Sequence, residues 1–134
     1  MSYHGLVYWN ELNTWEAGKA MAYYGPIMGW TFDEFETAGT DNRRPYYIAK
    51  KNDNPVAGIF TMYSPDFDGI GEHWFTYLAV DDLKAAMNAS NEAGGKICRE
   101  PFDIPNFGTM VVTQAVGGAF QAFIEPAPMP DAKS

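Results

Sequence analysis

A strand, a helix and three strands can be read across residues 5–63, and the same order returns across residues 72–125. An element order that recurs in this way restricts the fold to two copies of one βαβββ unit, because each copy must bury apolar faces of the same kind. Side chains recur along with the elements. At an offset of 66, Leu12 falls on Leu78, Glu16 on Asp82, Ala20 on Ala86, Met21 on Met87 and Gly29 on Gly95, without a gap. Near the end of each copy the offset becomes 60, and "VAGIF" meets "VGGAF": Val56 on Val116, Gly58 on Gly118, Phe60 on Phe120. On this reading the second copy has lost about six residues from its middle strands.

Punctuation residues set the element boundaries. "NTWEAGKAMAYYGPIMGW" reads as a helix capped by Asn13 or Thr14, with Glu16 in its first turn and its end near Gly25-Pro26. "WTFDEFE", "RPYYIAKK" and "PVAGIFTMY" read as strands, and "SPDFDGIG", residues 64–71, is the linker. In the second copy "EHWFTYLAV" is a strand and "DDLKAAMNASNEAG" a helix capped by Asp81 or Asp82 and ending at Gly94. "KICRE", "GTMVVTQ" and "AFQAFIE" complete the strands, and residues 126–134 read as a flexible tail.

A chain of 134 residues, 46% hydrophobic and 16% aromatic, is long enough to bury a core as a single domain, taken here as residues 1–125. Its net charge of −8 would repel a phosphate backbone, which argues against nucleic acid and favours cationic small molecules. Cys98 is the single cysteine; its strand-like context predicts a buried thiol, and a reducing, cytoplasmic location fits. No stretch approaches the roughly 18 apolar residues of a membrane span. There is no Ser/His/Asp spacing, phosphate-binding glycine loop or paired-cysteine motif.

The first strand, "GLVYWNEL", places Val7, Trp9 and Glu11 on one face and Leu6, Tyr8 and Leu12 on the other. A solvent-facing strand would rarely carry Trp, and a strand buried on both faces would rarely admit Glu, so this face suits a lined pocket.

Two tandem βαβββ units resemble the vicinal oxygen chelate superfamily of glyoxalases, bleomycin-resistance proteins and extradiol dioxygenases. The phrases "WNELNT", "YYGPIMGW", "PVAGIF", "HWFTYLAVDDLKAA", "GGKI" and "PFDIPNFG" are similar to its glyoxalase-like subgroup. The resemblance implies an α+β fold in which a half-open, curved mixed sheet surrounds a concave pocket, with the helices outside. It also implies where the enzymes of the superfamily hold a divalent metal. Counted from the helix-start acids Glu16 and Asp82, the first-strand ligand positions are Trp9 and Phe75; the last-strand position is Ala122, and its first-unit counterpart at the 60-residue offset is Met62. None of these side chains is a usual ligand of zinc, magnesium, manganese or nickel, so no metal and no cofactor is expected.

Under this resemblance Val7, Trp9 and Glu11 face the pocket with His73, Phe75 and Tyr77, while Leu6, Tyr8, Leu12, Trp74, Leu78 and Val80 pack under the helices. Glu11, a carboxylate beside Trp9, and His73 are the acid–base candidates, with Arg43 or Arg44 as possible structural partners of Glu11. The pocket walls are Val7, Trp9, Met62, Phe75, Tyr77 and Ala122. His4 reads as a frayed surface histidine. The expected function is metal-free binding of a small aromatic or cationic molecule by a homodimer. The alternative is a metal-dependent lyase or dioxygenase of the glyoxalase type using Glu11 and His73, with Glu125 as a further donor only if a bulge turns it to the pocket face.

Overall fold

The computed structural model describes residues 2–35, 45–104 and 107–127. It is an α+β fold with a repeated βαβββ order. The first copy comprises β1 (Val7–Thr14), α1 (Ala17–Met28), β2 (Thr31–Phe35), β3 (Tyr46–Lys51) and β4 (Asn54–Thr61). The second comprises β5 (His73–Ala79), α2 (Leu83–Glu92), β6 (Lys96–Ile104), β7 (Gly108–Gln114) and β8 (Phe120–Pro126). The chain divides into two compact units, Trp9–Phe75 and a second that joins the residues before Trp9 to those after Phe75, so it changes unit inside β1 and again inside β5.

In the Trp9–Phe75 unit the strand order is β2-β3-β4-β1, antiparallel except for the parallel pair of β1 with β4. The other unit has the order β5-β8-β7-β6, with β5 parallel to β8. The strands of each parallel pair are joined through the unit's helix and its two other strands, since parallel neighbours cannot be joined by a tight turn.

The helices start at the equivalent residues Glu16 and Asp82, so the expected cap of α1 at Asn13 or Thr14 is corrected: both are still paired in β1, and Glu16 takes the N-cap position. Asp82 accepts a hydrogen bond from the Ala85 amide at 3.0 Å, and Glu125 of β8 accepts from the Leu83 amide at 2.8 Å. Two of the helix's orphan N–H groups are thereby satisfied by carboxylates. Glu16 makes no side-chain cap, and pairs with Lys19 instead. Leu83, Ala86 and Met87, at helical spacing, pack on Val80, Ile97, Val111 and Phe123 to make the α2 core. No residue of α1 is fully buried.

The expected end of α1 at Gly25-Pro26 is corrected, because the helix runs through Pro26 to Met28 and stops at Gly29. Proline removes one amide donor, but the Gly25 carbonyl accepts from the amides of both Gly29 (2.8 Å) and Trp30 (3.2 Å). Gly29 sits at φ 71°, the left-handed conformation that ends a helix at little cost only for glycine. β6 extends past "KICRE" to Ile104, with register shifts after Ile97 and Arg99 that accommodate the longer pairing with β7. Cys98 lies on this strand and is exposed, contrary to the buried thiol expected from its context. His4 is not frayed: its Nδ1 accepts from the Asp81 amide at 2.9 Å, and Ser2 donates to the Asp81 carboxylate at 2.7 Å.

Strand register revises the repeat near the unit ends. Glu11 pairs with Gly58 and Tyr77 with Ala122, and Glu11 and Tyr77 are equivalent at the offset of 66. Gly58, not Met62, is therefore the counterpart of Ala122, and the offset there is 64. The similarity of "VAGIF" to "VGGAF" misled because Gly58 lies inside β4, whereas Gly118 lies in the turn before β8.

Candidate functional site

In the Trp9–Phe75 unit, Leu12 of β1 lines a cavity with Ala20, Tyr23 and Tyr24 of α1, and Trp74 of β5 donates its indole N–H to the Tyr24 hydroxyl of α1 at 3.2 Å. These two side chains define the helix side of their strands, so alternation puts Trp9, Glu11, Asn13, His73 and Phe75 on the opposite face. On that face the Trp9 indole N–H donates to the Tyr46 hydroxyl at 3.0 Å. The two rings meet over Gly58: a Cβ built there would overlap the Tyr46 hydroxyl and lie 2.9 Å from Trp9 Nε1. Phe35 extends the aromatic patch, edge-on to Tyr46 at 6.4 Å between ring centres. Tyr46 was not among the sequence-derived candidates. The signal was a glycine inside a strand, which marks the close approach of another group.

Glu11 is buried at the Gly58 register position. Arg43 and Arg44, the structural partners considered for it, lie outside the described residues. His73 sits edge-on to Phe75 at 6.2 Å, its Nδ1 2.8 Å from the Gly71 carbonyl and its Nε2 3.3 Å from Asn13 Nδ2. A carbonyl can only accept, so Nδ1 carries the proton and Nε2 accepts from the Asn13 amide. Asn13 is buried and its role as the orienting partner was not foreseen. Met62 is fully buried just beyond β4, and Phe75 is buried beside His73.

In the other unit, Phe123 and Val111 face α2, which turns Tyr77 and Ala122 to the opposite face of β5 and β8. Both are buried. Glu125 is bound to the N-terminus of α2, on the helix side. Val7 is exposed. Leu6, expected to pack under a helix, is 53% exposed, and Tyr8, assigned to the same face, meets Phe107 at 5.7 Å, the ring that Tyr77 also touches at 6.0 Å. Strict alternation therefore fails at the start of β1, where the backbone instead bonds Gly5 and Leu6 to Ala79. Burial, more than the repulsion from Tyr3, raises the Tyr8 phenol above its usual 10.0.

Residues 9–122 match the Glyoxalase/Bleomycin resistance protein/Dioxygenase superfamily. The chain belongs to this superfamily. Two mycobacterial relatives, each named "Putative glyoxylase CFP32", one from Mycobacterium bovis and one from Mycobacterium tuberculosis, are 36% identical over 124 residues, 92% of this chain. The chain spans 45% of the length of these curated relatives. Among solved structures, a hypothetical protein from Bacillus halodurans superposes with a TM-score of 0.69 at 9% identity, covering 93% of this chain and 96% of that one. Methylmalonyl-CoA epimerase from Mycobacterium tuberculosis superposes with a TM-score of 0.64 at 16% identity, covering 96% and 92%. At these identities the structures establish the shared fold.

At the positions where this glyoxalase-superfamily chain would hold the divalent metal of the superfamily's enzymes, the side chains present do not fit it. The rings of Trp9 and Phe75 and the methyl of Ala122 offer no suitable lone pair, the Trp9 N–H is itself a donor to Tyr46, and Gly58, the counterpart of Ala122, has no side chain. Among the described residues no group of three or more His, Cys, Asp or Glu side chains could hold a metal ion.

A separate cavity of about 340 Å³ opens on the helix side of the Trp9–Phe75 unit, bounded by α1, β1 and the start of β5. Of the residues expected to form the site, only His73 lines it. Among the described residues, no helix is long and apolar enough to cross a membrane.

Proposed function

We propose that this member of the glyoxalase/bleomycin-resistance superfamily is a metal-free binding module for a small aromatic or cationic organic molecule, held against the face that carries Trp9, Tyr46 and Glu11. The observation that carries this reading is the Trp9–Tyr46 hydrogen bond across Gly58. It fills the Gly58 position with two aromatic rings, and rings bind flat or cationic ligands by stacking and cation–π contact, at roughly 0.5–1 kcal/mol for each exposed cation–π pair. The net charge of −8 favours a cationic ligand. A thermal-shift panel of aromatic and cationic compounds tests it, since a ligand of the native state raises stability as RT ln(1 + [L]/Kd). Trp9→Ala is expected to abolish the shift given by a true ligand; an unchanged shift refutes the assignment.

Catalysis by Glu11 and His73 is the second reading, favoured by the Gly71 carbonyl and Asn13, which together fix the orientation of the His73 ring. Nε2 would have to exchange its Asn13 partner to take a proton from a substrate. Stoichiometric zinc, nickel, manganese or iron in untagged protein, lost in Glu11→Gln or His73→Gln, would replace the first reading with this one. Superfamily membership further suggests pairing of two copies, and light scattering at high micromolar concentration is expected to give the mass of a dimer.

A further inference from the structure

We propose that the helix-side cavity is a second ligand site, selective for a small organic cation such as an amine carried on a flat ring. Leu12 and Trp74 alternate with Glu11, Asn13 and Phe75 along β1 and β5, so the cavity lies across the strands from the Trp9–Tyr46 face. His73, at the start of β5, also lines it, and the proposal does not rest on the function assigned to that face or to His73.

Three aromatic side chains line the cavity as a corner. Tyr24 stands perpendicular to Tyr23 (89°, 4.9 Å between centres) and to Trp74 (81°, 5.6 Å). Trp30 stacks behind Tyr24, and the Trp74 indole N–H is taken up by the Tyr24 hydroxyl, so these rings are fixed before any ligand arrives. Pre-set rings cost little entropy on binding and present their negative faces to a cation. Leu12 and Ala20 supply an apolar floor.

The charge beside the rings is also positioned. Glu72 Oε2 accepts from Thr14 Oγ1 at 2.8 Å and from the Trp15 amide at 2.9 Å. These bonds orient the carboxylate and leave Oε1 without a partner among the described residues. Lys19 at the rim is neutralised by its pair with Glu16 at 3.3 Å, so the lining carries a net negative charge. An ammonium group could contact Glu72 Oε1 and the ring faces together, whereas an anion would meet Glu72 with no unpaired lysine to offset it.

The test titrates the full chain with benzylamine, benzyl alcohol and benzoate, recording the assigned indole N–H resonances. Benzylamine is expected to bind at least about tenfold more tightly than the other two and to shift the Trp74 resonance, leaving that of Trp9 in place. Glu72→Gln keeps an oxygen to accept from Thr14 and should weaken benzylamine by about tenfold while sparing benzyl alcohol. Tyr23→Leu, at a position 61% exposed and so tolerant of change, should also weaken benzylamine. Equal binding of the three probes, a shift at Trp9 instead of Trp74, or unchanged affinity in either variant would overturn the proposal. A shift at Trp9 alone would leave the Trp9–Tyr46 face as the only supported site.

Discussion

Asn13 and His73 meet at 3.3 Å, amide to imidazole, although 60 residues separate them in the sequence. With the Gly71 carbonyl 2.8 Å from the other ring nitrogen, the contact selects one tautomer of a histidine on the candidate ligand face. Long-range ¹⁵N correlation spectra are expected to show the neutral imidazole of His73 protonated at Nδ1. In Asn13→Leu the Nε2 acceptor loses its partner, and its ¹⁵N shift should move while the Nδ1 proton stays. A neutral ring protonated at Nε2 would contradict the assignment.

Gly58→Ala should separate Trp9 from Tyr46, because the new methyl overlaps the Tyr46 hydroxyl. Overpacking of this kind costs about 1–3 kcal/mol, read as a lower urea midpoint. Combining it with Tyr46→Phe, which deletes the overlapping oxygen, should recover part of that loss. Additive losses would show that the clash lies elsewhere.

Tyr8 gives the pH dependence. Its raised folded value means that the native state holds the phenolic proton more tightly than the unfolded chain, whose tyrosines titrate near 10.0. Its contribution to stability is therefore complete below about pH 10 and is lost as pH rises through the folded value. Urea melts between pH 8 and 11 should decline less steeply in Tyr8→Phe, and absorbance at 295 nm should show one late-titrating phenol fewer.

The α2 terminus predicts two comparable losses. Asp82→Ala removes the acceptor for the Ala85 amide and Glu125→Ala that for the Leu83 amide, each at a cost of about 1 kcal/mol by chemical denaturation. Glu16, at the equivalent position of α1, caps nothing, so Glu16→Ala should cost only what an exposed ion pair is worth, about 0–1 kcal/mol.

The equivalence of the two helix starts was legible because a carboxylate, followed by alanine and methionine at the same intervals, survives in both copies, although the cap of α1 was read two or three residues too early. Glu16 and Asp82 kept the two units in step even though only Asp82 caps its helix. Strand pairing was less legible. The offset of 60 is four residues short, an even displacement that keeps the same strand face and so leaves the alternation undisturbed. A glycine in the turn before β8, with the phenylalanine that opens β8, imitates the pair inside β4. Cys98 illustrates a different limit, because a strand pattern records which residues alternate but not whether a partner covers their faces. The Trp9–Tyr46 contact joins β1 to β3, strands that are not neighbours, and its only trace in the chain was the space left by Gly58.

Because the chain changes unit inside β1 and again inside β5, the two units draw on the sequence unequally. Trp9–Phe75 is one uninterrupted stretch, whereas the other unit needs Ser2, His4, Gly5 and Leu6 to meet Ala79 and Asp81. During synthesis the continuous unit leaves the ribosome whole while the residues that precede it still wait for their partners. Residues 2–6 are therefore made before the continuous unit, yet they meet Ala79 and Asp81 only after it has been made.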